Sequence, residues 1–399
     1  MKKYFILAAA AAMMLSACSF DRDLVYADGG TTSYEERIPL DISMSNIAVQ
    51  AETTRGINTA YQSEQLIQTN IMALFIRESG NTGAKTTTKL FEQDNITSTA
   101  LTNVTYGSTA CADFATGSTL YYPDNKATDI CLYAYAPTSI GTAPTAIGTF
   151  DIDLSLKLDQ STDAGYLAND IIWGSQGTST NKVSATAFAA AKTAAPAAGV
   201  TSGAYIGTTG DPKVLIPMQH VASKIVINLI PSGMDISKLK GTTVKYYVDY
   251  TKGDLNLATG EIRTYAAATT NYSKGQAVIL TDNLGDGVTA YNSTGAYNAG
   301  GTTLVGYSCC AVVLPQKINA GADNNTAGTN QDLIEIYIDA NTSYKLKTSA
   351  ITTLLAGKVY TYNITVTASG FSVSTTVNDW AADTSFGTSG TETGSATLQ

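Results

Sequence analysis

One histidine, His220, stands in a chain of 399 residues, and that scarcity removes most hydrolytic chemistry. A Ser- or Cys-based triad needs a histidine beside its nucleophile, and no serine here lies in a GxSxG elbow. His220 sits inside the apolar run PMQHVASKIVINL, where a histidine is a hydrogen-bonded core residue. Phosphate-cradling loops are missing too: GTTGDPK (207–213) lacks the GxxxxGK[ST] spacing, and GxGxxG occurs nowhere. No CxxC pair offers zinc ligands. Asp323, Asn325 and Gly328 resemble the start of a calcium loop, but Ala327 and Ile334 stand where oxygen ligands are needed. The chain is read as non-enzymatic, with no cofactor, no metal and no catalytic residue.

Charge is scarce as well. Only 14% of residues are Asp, Glu, Lys or Arg, the net charge is -9, and no basic patch marks a nucleic-acid partner. Beyond the N-terminus no apolar run is long enough to span a membrane. What is abundant is Thr, Ser, Gly, Ala and Tyr, the last present 23 times, a composition that suits an extracellular β-rich protein.

The chain opens MKKYFILAAAAAMMLSACS. Lys2 and Lys3 precede an apolar stretch from Tyr4 to Leu15, then small residues lead into Cys18. This is a secretory signal, too short for a permanent transmembrane helix. Leu15-Ser16-Ala17-Cys18 resembles a bacterial lipobox, so residues 1–17 are expected to be removed and Cys18 to be acylated, placing the body outside the cytoplasm on a lipid anchor. Of the other cysteines, Cys309 and Cys310 lie in the strand-like run VGYSCCAVVLP and read as buried free thiols. Cys111 and Cys131 stand open as a disulfide pair or as two thiols.

Strand signals dominate the rest. LIQTNIMALFIRESG (66–80), DICLYAYAP (129–137), DIIWGSQG (170–177), KVLIPMQHVASKIVINLIP (213–231), TTVKYYVDY (242–250), QAVILTDN (276–283), LIEIYIDA (333–340) and KVYTYNITVTASGFSVSTTVNDW (358–380) are rich in β-branched and aromatic residues and bounded by turn formers. Such a series, with almost no helical periodicity, predicts an all-β fold of antiparallel sandwiches. The Ala-rich stretch 185–203 reads as a loop or a short helix. Gly210-Asp211-Pro212 after it suggests a boundary near residue 210, giving domains 56–210 and 211–380 and a tail 381–399.

Near the start, apolar residues alternate through Ile38, Leu40, Ile42 and Met44, skip one step, and resume at Ile47 and Val49 before a polar run ends at Arg55-Gly56. The skip predicts a bulge or a change of sheet. On residues alone this is either a permanent first strand followed by an ordinary loop arginine, or something made to be cut away.

The ordered set of lipobox, acidic spacer, alternating strand, Thr54-Arg55-Gly56, DIIWG, MQHVASKIVINL, the hairpin-like GDLNLATGEIRT (253–264) and the closing Asn378-Asp379-Trp380 resembles the fimbrillin family, the FimA-like and Mfa-like subunits of type V pili in Bacteroidales. The resemblance covers nearly all of the chain. It implies two transthyretin-like β-sandwich domains in tandem, export as an outer-membrane lipoprotein precursor to the cell surface, and assembly into a fibre with other pilin subunits after a trypsin-like, Arg-specific protease cuts behind Arg55. Residues 18–55 then form a propeptide whose provisional strand, Ile38 to Val49, is replaced by a neighbour's strand. The donor is expected in the tail, whose apolar points are Phe386, Ala396 and Leu398. The tail is otherwise polar and glycine-rich, the composition of a disordered end. A pilus tip or accessory adhesin, a surface lipoprotein binding a glycan or host ligand through tyrosines, and, weakest of all, a secreted hydrolase are the alternatives.

Overall fold

The computed structural model describes residues 38–45, 72–78, 91–96, 101–106, 109–114, 120–122, 127–137, 141–142, 151–161, 165–166, 168–177, 181–194, 203–208, 210–239, 242–264, 276–279, 281–282, 290–291, 297–298, 306–319, 331–337, 342–379 and 394–396. Residues 39–399 form one compact unit, which is the subject below; in the other unit, residues 1–38, only Ile38 is described. The unit is all-β, as the turn-bounded apolar runs predict, with one α-helix, Ala185–Ala194, longer than a single turn among the described residues.

Two five-stranded sheets are built largely from the first half of the chain. One runs in the order Tyr205–Thr208, Asp211–Ile216, Ile42–Ser45, Thr109–Phe114, Leu101–Tyr106; the other runs Met218–His220, Ile172–Gln176, Ile130–Ala136, Met72–Glu78, Phe91–Ile96. The chain passes from the first to the second at Pro217, a residue with no N–H to give a ladder. In the second half, a six-stranded sheet orders Thr281–Asp282, Tyr307–Val313, Ser223–Pro231, Lys358–Thr367, Gly370–Asp379 and Gly394–Ala396, and a four-stranded one orders Gln276–Ile279, Thr243–Val248, Gln331–Tyr337 and Ser343–Thr348. These two face each other: the Tyr246 and Tyr362 hydroxyls meet at 3.0 Å, and the Tyr344 and Phe371 rings pack edge-on at 6.2 Å.

The sequence pattern explains each strand's place. Ser223–Pro231 shows no alternation because it is central, buried over its first seven residues between the parallel Lys358–Thr367 and the antiparallel Tyr307–Val313. Asp151–Ser155 alternates exposed and buried, as a strand with one wet face must. Two runs that read as single stretches are folded: 358–380 is a hairpin of Lys358–Thr367 and Gly370–Asp379, and 213–231 is broken into three strands.

Gly210-Asp211-Pro212 is the start of the second arm of a hairpin in which Thr208 pairs with Asp211 and Gly207 with Pro212, and Gly210 takes φ +86° to make its turn. The strands that follow still pair with the first half, and the pairing changes to the second set of sheets only at Val221-Ala222.

The halves are also tied together. The hairpin of Lys252–Asn256 and Ile262–Thr264 pairs with Asp151–Ser155. Trp173 of the DIIWG run donates its indole N–H to Leu257 O at 2.9 Å. Its ring lies against Gly260, where a Cβ would come within 2.4 Å of the ring and where φ is +73°, so only glycine closes this turn. The Gln160 side-chain amide behaves like a peptide unit, accepting from Val312 N at 2.8 Å and donating to Val312 O at 2.7 Å. A single hydrophobic cluster accordingly reaches from Tyr133 to Phe371.

One electrostatic feature bears on acid stability. Glu335, 4% exposed, lies on the sheet face opposite Tyr246 and accepts hydrogen bonds from the Tyr247 and Ser343 hydroxyls, with Lys345 Nζ at 3.5 Å. Burial alone would raise its pKa, but hydrogen bonds from Tyr247, Ser343 and Tyr337 and the charge of Lys345 outweigh it and push the carboxyl down to about 2. A carboxylate depressed on folding contributes stability that is present above its ordinary pKa of 4.5 and lost as pH falls toward about 2. Thermal melts of Glu335→Gln are therefore expected to lie below the native protein's at pH 6, with the gap closing between pH 4.5 and about 2; a gap that stays constant over that window would contradict the assignment.

Candidate strand-insertion site

Ile42–Ser45 occupies the middle of its sheet. It runs parallel to Asp211–Ile216, with Val214 opposite Ile42, Leu215 opposite Ser43 and Ile216 opposite Met44. On its other side it runs antiparallel to Thr109–Phe114, with Asp113 opposite Ser43, Ala112 opposite Met44 and Cys111 opposite Ser45. The ladder starts one residue earlier, where Val214 N donates to Asp41 O at 2.8 Å. Just before it, Pro39–Leu40 pairs with Leu120–Tyr121 instead. The chain thus changes partner at Asp41, ahead of the predicted skip after Met44; Ile47 and Val49 lie outside the described residues.

Alternation is kept through that change. Leu40, Ile42 and Met44 are 2%, 3% and 0% exposed, with Met44 among the largest wholly buried side chains. Asp41 between them is exposed. Burying such side chains is worth about 1.5–3 kcal/mol each. Without this strand, the sheet would present two unpaired edges, one on each former neighbour, and an uncovered apolar trough. Such edges template another strand.

The opposite face of Ile42–Ser45 is polar and also closed. Ser43 is 0% exposed, and its hydroxyl has no hydrogen-bond partner among the described residues. Lys213 and Asp113, one from each flanking strand, form an ion pair of 3.6 Å with side chains 20% and 11% exposed. Cys111, Ile206 and Leu215 pack on the same face. The Asp113, Lys213 and Ser43 set is invisible to sequence reasoning because it is assembled from three distant segments; the only signal is the polar residue at alternate positions of Asp41-Ile42-Ser43-Met44-Ser45.

Next to this place the helix Ala185–Ala194, capped by Ser184 Oγ accepting from Ala187 N at 3.1 Å, brings Phe188 against Tyr122 and Tyr205 at ring separations of 5.7 and 6.3 Å. The two phenols meet at 3.2 Å, and Tyr205 donates to Ser184 O. Burial pushes both phenols up, so they act as neutral packing groups.

The remaining expectations fall as follows. Cys18, Arg55, Gly56, Phe386 and Leu398 lie outside the described residues. Ala396 belongs to Gly394–Ala396, an edge strand antiparallel to Gly370–Asp379 with Ala396 opposite Val373, so this part of the tail pairs with the second-half sheet. Cys111 and Cys131 are separate thiols, the latter donating to Gly177 O at 3.1 Å, and Cys309 and Cys310 are buried thiols as read. His220 Nδ1 meets Asp170 Oδ1 at 2.6 Å, both side chains at most 2% exposed. A pair this deep in the core orders structure and does not meet a substrate. His220→Gln is expected to lower stability by about 1–2 kcal/mol while leaving self-assembly unchanged; loss of assembly at an unchanged melting temperature would contradict this.

The fold and this site define a β-sandwich protein in which Ile42–Ser45 completes the middle of a sheet. The chain belongs to the fimbrillin-like family, whose family model matches residues 68–380; this is a fimbrial family of the cell surface. No match is found among curated proteins. Among solved structures the chain is similar to a putative cell adhesion protein of Bacteroides uniformis (16% identity, 88% of this chain and 100% of that one, TM-score 0.47). It is also similar to one of Bacteroides ovatus (15%, 87% and 99%, TM-score 0.47) and to the tip fimbrial protein Mfa3 of Porphyromonas gingivalis (10%, 86% and 100%, TM-score 0.40).

Proposed function

We propose that this chain is a structural fimbria subunit that is exported as a lipoprotein acylated at Cys18 and held as a closed monomer by strand 38–49. A trypsin-like protease cuts behind Arg55, the strand and its lipid anchor leave, and the vacated place accepts an extended strand from a neighbouring subunit. The two halves of the chain act as tandem transthyretin-like sandwiches, and the donor is the tail 381–399. The observation that carries this reading is the position of Ile42–Ser45: a strand close to the N-terminus is bonded on both sides in mid-sheet, and Leu40, Ile42 and Met44 along it are buried. Strand addition satisfies that requirement in both currencies, backbone hydrogen bonds and alternating side chains.

The donor assignment has its own test. Protein ending at Trp380, cut behind Arg55, is expected to remain monomeric by light scattering, and to cap growing polymers when mixed with native cut protein because it can accept a strand without giving one. Detergent-resistant ladders of normal length from the truncated protein alone would contradict the tail as donor.

A further inference from the structure

Resting on that reading, we infer that the Lys213–Asp113 ion pair is a gate that selects the incoming strand and fixes its register: the slot accepts an apolar, small uncharged, apolar triplet, with the small residue seated where Ser43 now lies. The core-facing positions demand apolar side chains, as any buried strand would. The other face is the discriminating one. Ser43 is wholly buried between Leu215 and Asp113, its register partners, and the ion pair reaches across it from both flanks at 3.6 Å. The space there is closed around a small side chain, and a long apolar one such as Ile or Met overfills it. The lysine is already committed to Asp113, so a carboxylate placed directly opposite Asp113 meets a like charge in a partly desolvated site.

Between Leu40 and Asn46 the native segment obeys this rule in one register only; Ile47-Ala48-Val49, five residues on, carries the same pattern. A slip of one residue puts Ile42 or Met44 into the Ser43 space and a serine against the core. A slip of two in one direction sets Asp41 opposite Asp113; in the other it sends Asn46 into the fully buried place of Met44. Within the tail 381–399 one triplet fits, Ala396-Thr397-Leu398, with Thr397 in the place of Ser43. The occupant assigned to the slot is therefore that triplet from a second copy of this chain.

The test uses the full chain cut behind Arg55 and labelled synthetic peptides of residues 38–49 and 391–399, with retention by the protein followed by fluorescence anisotropy. Native 38–49 and its Ser43→Ala form are expected to be retained alike, because the Ser43 hydroxyl makes no bond to lose. Ser43→Asp and Thr397→Asp peptides are expected to bind about tenfold more weakly, and Asp113→Asn protein to lose that discrimination. Equal retention of the Asp peptides, or discrimination unchanged in Asp113→Asn, overturns the gate while leaving strand replacement intact. If the cut protein retains no native peptide, strand replacement itself fails. The gate is then judged in the uncut chain: a drop in melting temperature for Ser43→Asp that Asp113→Asn restores supports it as the register lock of the chain's own strand, and equal drops with and without Asp113→Asn overturn it.

Discussion

Arg55→Ala protein, incubated with an arginine-specific protease under conditions in which the native chain polymerises, is expected to stay monomeric. The reason is connectivity. In the uncut chain the strand Ile42–Ser45 is tethered to the body it completes, and its effective concentration, in the millimolar range for a short flexible tether, exceeds what any outside strand reaches. Cutting behind Arg55 removes that advantage. The released segment then competes on equal terms with the donor of a neighbour, and several buried apolar side chains drive refilling of the trough. The chain supplies its own control: Arg37 precedes the strand, so cleavage there separates residues 1–37, and with them the proposed anchor, from the body but leaves Leu40, Ile42 and Met44 attached. Cleavage behind Arg37 alone is expected to give monomers, and polymers formed by Arg55→Ala protein cut only there would refute the switch.

The second large effect concerns the uncut monomer. Met44→Ala is expected to lower its stability by about 2–5 kcal/mol, the range for removing a fully buried aliphatic or thioether side chain from a well-packed site. Met44 is 0% exposed and lies opposite Ile216 and Ala112. Asp41→Asn, one strand position outside the trough and exposed, is the matched control and is expected to change stability by less than about 0.5 kcal/mol. Denaturant midpoints on the uncut proteins decide the matter. Because the weakened strand is also easier to displace, Met44→Ala protein is further expected to polymerise sooner after cutting than the native chain.

Much of this architecture is legible in residue order. The alternation at Leu40, Ile42 and Met44 predicts a buried face, and those three are 2%, 3% and 0% exposed; that Ser43 on the other face is buried too is not legible in it. The strand signal in 213–231 is borne out at Ser223–Pro231, a central strand with a parallel neighbour, though its Lys224 and Asn228 give no sign of burial on both faces. His220 among apolar neighbours predicts a hydrogen-bonded core residue, and Asp170 is the partner.

Other features are hidden for physical reasons. Gly210-Asp211-Pro212 carries the same local signal whether it joins two domains or turns a hairpin, because glycine and proline report backbone geometry and not what the flanking strands pair with. The parallel pairing of Ile42–Ser45 with Asp211–Ile216 joins residues some 170 positions apart, and no local periodicity encodes it. The same distance conceals the Lys213–Asp113 pair, whose members look like ordinary strand charges until both flank one serine.

The central claim is that the strand Ile42–Ser45 leaves and that another replaces it. The most direct test is the intact mass of subunits recovered from polymers made by the native chain after cleavage with an arginine-specific protease. The account predicts subunits that begin at Gly56, with no fragment ending at Arg55 retained after dissociation in denaturant. Polymers whose subunits still carry residues 38–49, whether covalently or as a bound fragment in equal amount, would show that the place in the sheet never opened and would contradict it.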